Sequence, residues 1–501
     1  MTKLNVLLFL SFTMCLASTV RAQTTPGVND GELKGDYAFT FNGMTTGGNG
    51  ASTPFAAVGR FSADGAGNLM SGELDTNGVG PMEKLIAQAF TGTYSIGADH
   101  RGVMNLNIPG GGKLAFAMMA NGNAKFIEID AAGGTGTVGS GTMEKADTTA
   151  YSTAKIAGDY AFGAAGLDMS NNRTAIAGRF TSNGAGIFSN GAADVNESGV
   201  FATLNSYVAM YNVSDSTTGR GVMTLPPLVG GVPQNLNFVF YIVNAGKLLA
   251  MEMDAVTPAT PLLNGAVLQQ QSPLGGFSDA SLSGGMVIDL TGRSGSACAG
   301  GTTTPASNVI LGLLNANGLG ALTLTYDQNC GGVPASASLT GTYIASSNGR
   351  VTINVGPDYV AAYMISSNQA FFIVPDSTVL FGSGEPQAAG PLSNTALNGT
   401  YAGSANAPST LGVAIFSGEF TADGAIPTGN ITGTEDFGAP SGSSSGVAVN
   451  ATYSISSSPT NGRGTVGGNI AGNGIVYVVT PSKFMIVSLS DPNPAVLIFE
   501  Q

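Results

Sequence analysis

Over the first 150 residues hydrophobic and polar positions alternate with a period of two and never settle into a helical period. Tyr37, Phe39 and Phe41 alternate with Asp36, Ala38 and Thr40, the spacing of a strand with one buried face. A Gly-rich loop is expected over 42–53, then a strand ending at Phe61 and a tight turn at Asp64-Gly65, where glycine supplies the positive φ of a hairpin. The next strand runs to Asp75. After a long loop come the Tyr94 strand, a turn through Asp99 to Gly102, and a strand with Met104, Leu106 and Ile108 on one face. Lys113 to Met119, Ala124 to Asp130 and Thr137 to Lys145 complete eight strands. Eight strands joined in chain order predict an antiparallel β-meander closed as a barrel, with a small β-sandwich as the alternative. Closure removes the unpaired edges that invite aggregation. In such a meander the tight turns gather at one end. The longer loops after the first, third and fifth strands gather at the other, open end.

The pattern returns three times. Leu33-Lys34-Gly35-Asp36-Tyr37 recurs as Ile156-Ala157-Gly158-Asp159-Tyr160, as Leu282-Ser283-Gly284 and as Leu397-Asn398-Gly399-Thr400-Tyr401. Met286 takes the opening Tyr position in the third copy. Gly59-Arg60-Phe61 and its Asp-Gly turn match Gly178-Arg179-Phe180 with Asn183-Gly184, and Asn317-Gly318 and Asp423-Gly424 hold the same place. A Tyr strand followed by a turn ending in Arg gives Tyr94 with Arg101, Tyr211 with Arg220, Tyr343 with Arg350, and Tyr453 with Arg463. Three landmarks in one order, four times, define β units at 33–147, 156–271, 282–386 and 397–501. Each is large enough for its own core, so four self-contained units on short links are expected.

Composition places the chain outside the cell. Residues 1–22 read as a signal peptide: Lys3, an apolar run from Val6 to Leu16, and the small-x-small site Val20-Arg21-Ala22. Phe12-Thr13-Met14 does not suit a lipid anchor at Cys15, and no later stretch is long and apolar enough for an integral membrane helix. Charged residues are only 10% of the chain, and Gly contributes 74 residues, as in turn-rich β-proteins. Removing Lys3 and Arg21 from the 18 basic residues leaves 16 against 31 acidic ones. That balance excludes nucleic acid, which needs a basic patch to replace phosphate counterions. The expected location is the periplasm, the outer surface or the medium. In an exported chain the two remaining cysteines, Cys298 and Cys330, read as a disulfide. The meander places both at one open end.

Gly35-Asp36-Tyr37, Gly158-Asp159-Tyr160 and Gly399-Thr400-Tyr401, each opening an eight-strand meander, resemble the Gly-x-aromatic start of lipocalin and avidin-like barrels. Lipocalins use Trp at the aromatic position, and this chain has none. The whole repeat is similar to uncharacterised secreted bacterial β-repeat proteins. The first resemblance implies a barrel with one open end; the second carries no activity.

Candidate chemistry is sparse. The single histidine, His100, stands in a turn and offers no triad or zinc site. Glu128 with Asp130, and Glu252 with Asp254, are i and i+2 pairs on one strand face. They suit glycosidase chemistry or a cation, or else an outward polar face opposite inward Ile127, Ile129, Met251 and Met253. Copies three and four lack the pair. Arg101, Arg220, Arg350 and Arg463 recur in all four copies, as strand-end caps or as forks for a ligand carboxylate. The run 64–68 reads as a hairpin, not a Ca²⁺ or phosphate loop. No catalytic or metal residues and no cofactor are implied. The expected function is a non-enzymatic structural or binding protein, multivalent through four units and directed at glycans or surface proteins. Alternatives are a lipocalin-like binder of small apolar molecules and a glycan-active enzyme. The cysteine pairing is tested by alkylation and mass spectrometry of the exported protein. Neither thiol should react before reduction; two free thiols rule the bond out.

Overall fold

The structure, a computed structural model, describes residues 27–46, 52–80, 83–133, 135–226, 235–294, 306–356, 358–406, 415–456 and 461–501. It contains four closed eight-stranded antiparallel barrels, each a simple meander in which the first strand pairs with the eighth. The barrel reading therefore holds and the sandwich does not. The first barrel runs Lys34–Thr46, Ser52–Asp64, Asn68–Gly78, Leu85–Ile96, Arg101–Asn107, Lys113–Met118, Ala124–Glu128 and Gly136–Lys145. The loop expected over 42–53 is shorter than the glycines suggested. Strand pairing continues out to Thr46 opposite Ser52. No helix among the described residues is long and apolar enough to cross a membrane.

Each barrel is plugged at its tight-turn end by one tyrosine. Tyr94 Oη donates to Leu33 O at 2.7 Å, and Tyr211, Tyr343 and Tyr453 donate to Ile156, Leu282 and Leu397 at 2.8, 2.8 and 2.9 Å. The hydroxyl satisfies the backbone where the chain turns into its first strand, so the ring can be buried without stranding a polar group. Above the plug, barrel 1 packs Tyr37, Phe39, Phe41, Phe61, Phe116 and Phe126 around its axis.

The barrels are not self-contained beads. Their outer strand faces are apolar too, and these faces pack on one another. Ala38, Ala56 and Val58 of barrel 1 meet Val239, Tyr241, Leu249 and Met251 of barrel 2. Ala161, Ala175 and Ala177 meet Tyr363, Phe371 and Ile373 between barrels 2 and 3. Val309, Leu311 and Leu313 meet Ile475, Tyr477 and Met485 between barrels 3 and 4. Ala115, Ile127 and Val138 of barrel 1 join the core of barrel 4. The fourth barrel thus returns to the first and the chain closes a ring. Each fully buried aliphatic side chain contributes roughly 1.5–3 kcal/mol relative to exposure, which is why strands that would face water in a lone barrel carry Val, Leu and Met here.

Candidate functional site

The four recurring arginines are neither strand caps nor ligand forks. Each reaches into the neighbouring barrel and grips an aspartate on that barrel's third strand. Arg220 donates from Nε and Nη2 to Asp75 at 2.7 and 2.8 Å. Arg350 holds Asp194 at 2.8 and 3.0 Å, and Arg463 holds Asp327 at 2.8 and 2.7 Å. Arg101 of barrel 1 closes the circle on Asp436 of barrel 4 at 2.8 Å. Three of the aspartates also accept from a tyrosine of the arginine's barrel: Tyr241 at 2.8 Å, Tyr363 at 2.9 Å and Tyr477 at 2.7 Å. Two residues on, Asn77, Asn196 and Asn329 donate to pairs of backbone carbonyls across the same junctions. At the fourth junction Ala117 replaces the tyrosine and Gly438 the asparagine. Ser417 and Ser140 bridge there instead, bonding Lys125 O and Ala405 O.

Asp75 and Asp194 are completely buried, so these are desolvated, bidentate ion pairs. Hydrogen bonds to Asp75 and Asp327 push the guanidinium pKa of Arg220 and Arg463 up. Burial opposes the charge of Arg350, but Asp194 outweighs it and the pKa again rises. The motif was in the sequence: Asp75-Thr76-Asn77, Asp194-Val195-Asn196, Asp327-Gln328-Asn329 and Asp436-Phe437-Gly438. An acidic position is therefore common to all four copies.

The acidic pairs sit on the opposite face from the one expected. Ile127 and Met251 are buried against neighbouring barrels, so Glu128 and Glu252 point into their own barrels. Burial raises the Glu128 carboxyl well above the usual carboxylate range, and Asp130 adds to the effect. Burial likewise pushes Glu252, 0% exposed, up to about 9. Its Oε1 accepts the Asp254 amide at 2.6 Å and its Oε2 has no partner. Asp130 accepts from the Lys113 amide, and Asp254 accepts from the amide and side chain of Asn237. Burial disfavours the charge of both glutamates inside their barrels.

Glu128 lines a cavity of about 420 Å³ at the long-loop end of barrel 1. Its walls are Phe39, Phe41, Phe55, Ala57, Leu74 and Leu106, with Glu128 and Asp130 the polar groups on one side. In barrel 2 Phe188 and Phe238 stand where barrel 1 has Leu69 and Leu114, and at the tight-turn end Phe188 stacks between Phe180 and the plug Tyr211 at 3.9 and 4.3 Å. His100 is exposed, in a left-handed turn, and bonds Glu32 at 2.7 Å. Asp64 caps its own hairpin by accepting from the amides of Ala66 and Asn68, as the turn reading requires. Cys330 is buried at the end of a third strand, while Cys298 and the signal segment lie outside the described residues.

Removing Arg220 strands a buried carboxylate. Arg220→Ala should destabilise the protein by about 3–5 kcal/mol in urea denaturation, whereas loss of an exposed pair costs under ~1 kcal/mol. Glu252 is neutral when folded and ionised when unfolded between pH ~4.5 and ~9. The folded state binds the extra proton, so its stability falls as pH rises through that window. The stability advantage of Glu252→Gln should therefore be absent below pH 4 and grow by up to about 1.4 kcal/mol per pH unit above it. A pH-independent difference refutes the buried neutral acid.

No protein-family model matches the chain, and no curated protein does. Parts of it are similar to solved structures. One is a DUF3598-family protein of unknown function from Nostoc punctiforme, with 9% identity over 60% of this chain and 97% of that one, at TM-score 0.16. Kievitone hydratase from Nectria haematococca has 10% identity over 69% and 89%, at TM-score 0.16. Transferrin binding protein B from Haemophilus parasuis has 12% identity over 78% and 85%, at TM-score 0.17. Likeness at this level transfers neither a family nor an activity, and the site rests on its own geometry.

Proposed function

We propose that the chain is an exported, non-enzymatic binding protein of the cell envelope or extracellular space, and that its first barrel takes a small, mainly apolar ligand through the long-loop end. The observation that carries this reading is the 420 Å³ cavity of barrel 1. Its size is within the range of small-molecule sites, and an apolar wall with few polar groups is their usual make-up. The Glu128 carboxyl, whose charge burial disfavours, gives the ligand a hydrogen-bonding anchor. Export rests on the leader-like residues 1–22 and on the cysteine usage. Packing in a ring supports barrels that act in fixed relative positions, in place of free units on links.

The test is fluorescence titration of the full chain with N-phenyl-1-naphthylamine, an uncharged apolar probe. Ala57→Phe places a ring in the cavity. The variant should bind one probe fewer per chain than the parent and keep its melting temperature within a few degrees. Equal probe stoichiometry in the two proteins means the barrel 1 cavity is not a ligand site.

A further inference from the structure

Closing the ring creates a second cavity that no single barrel contains. It lies where the first and eighth strands of all four barrels converge, and measures about 380 Å³. Thr40, Gly163, Asp289 and Ser404 occupy one repeat position and face it together. Gly163 cannot carry a side chain there. A Cβ would fall 2.7 Å from Phe381 and 2.8 Å from Phe371 of barrel 3, and those rings, with Leu249 and Ile498, form apolar wall.

One buried charge in this cavity is uncompensated. Arg173 opens the second strand of barrel 2 (Arg173–Asn183) and is only 6% exposed. Its Nε donates to Val379 O at 3.2 Å, and its Nη2 donates to Thr291 O at 3.1 Å and Thr291 Oγ1 at 3.2 Å. All three acceptors are neutral. Nη1 makes no hydrogen bond, and the side chain makes no ion pair, among the described residues. None of the remaining residues of the sequence is Asp or Glu, so no side-chain carboxylate of this chain neutralises Arg173. Burial pulls its pKa down to about 10, which leaves it cationic at physiological pH. The lysines that line the cavity are paired, Lys125 with Glu500 and Lys247 with Glu144, each at 2.7 Å. A buried, unpaired guanidinium is costly unless something anionic completes it.

We infer that the axial cavity binds a small organic monocarboxylate, with its carboxylate on the free edge of the Arg173 guanidinium and its hydrocarbon body against Phe371 and Phe381. The unbonded Nη1 offers a charge-assisted donor to a carboxylate, while Nε and Nη2 fix the guanidinium plane. Two features favour a single negative charge over a dianion such as phosphate. Only one cation is free, and Asp289, which accepts from Ser383 Oγ at 2.7 Å, opposes further negative charge. The site is distinct from the barrel 1 cavity and exists only in the closed ring.

The experiment is calorimetric titration of the full chain carrying Ala57→Phe, which fills barrel 1. Acetate, butyrate and benzoate are each added at pH 7.5 and low ionic strength, with benzamide as the uncharged control. At least one carboxylate should bind at one per chain with a sub-millimolar Kd, and benzamide at least ~10-fold more weakly than benzoate. Arg173→Gln should lower the carboxylate affinity at least ~10-fold with an unchanged circular dichroism spectrum. Arg173→Lys, which keeps the charge and loses the fork, should fold and bind at an intermediate level; it decides the matter if the Gln variant does not fold. No binding by any of the three carboxylates overturns the inference. So does equal binding of benzoate and benzamide, or parent-like affinity in both Arg173 variants.

Discussion

The ion pair between an arginine at the start of each fifth strand and an aspartate on the neighbour's third strand, bidentate at three of the four junctions, is the constraint on which the molecule depends. The aspartates point outward from their own barrels, into apolar contact surfaces. Left alone, each would be a desolvated charge. With the arginine in place, the barrels can meet in only one register, because the fork fixes both distance and angle. A buried ion pair adds little net stability over an apolar contact, but breaking one is expensive. Its contribution is to select one arrangement from the many that matching apolar faces would allow. The axial cavity, the apolar outer strands and the direction of the long-loop ends all follow from that choice.

The fourth junction completes the circle with different chemistry. Arg101 and Asp436 keep the clamp, but Tyr and Asn are gone. A network takes over part of the work: Glu500 of barrel 4 pairs with Lys125 of barrel 1 and with Lys483, which also reaches Glu385 of barrel 3 at 2.6 Å. Burial alone would raise the Glu500 pKa, but the two lysines hold it far below the carboxylate range. Three barrels are tied through one chain of charges, and this suits a junction that no covalent link spans.

Much of the fold was legible in sequence because strands and turns are local. Period-two alternation, Asp-Gly and Asn-Gly hairpins and the three repeated landmarks were enough for four eight-stranded barrels. What was not legible came from contacts between barrels. Alternation assigns an inner face only when the outer face meets water. Here Ile127 and Met251 are buried between barrels, so the inner residues are Glu128 and Glu252, against the expectation. The arginines stood out because they follow a turn of fixed form. Their aspartates were missed because they lie in the last pleats of a strand, where the residues that follow diverge among the copies. The wall of the barrel 1 cavity carries Phe41, Phe55 and Phe126 where barrel 2 has Ala164, Thr174 and Ala250, a difference of size that a hydrophobic pattern does not register. Arg173 looked like one more strand residue until the ring brought Thr291 and Val379 to it.

The closed ring is tested most directly by small-angle X-ray scattering of the full chain in dilute solution. Four barrels clamped in a circle should give a radius of gyration close to the ~23 Å expected of a compact chain of this length, with a single-peaked distance distribution. Four separate barrels on short links would give a radius well above that value and a distribution with a long tail, and such a curve would contradict the clamp, the ring and the axial cavity together.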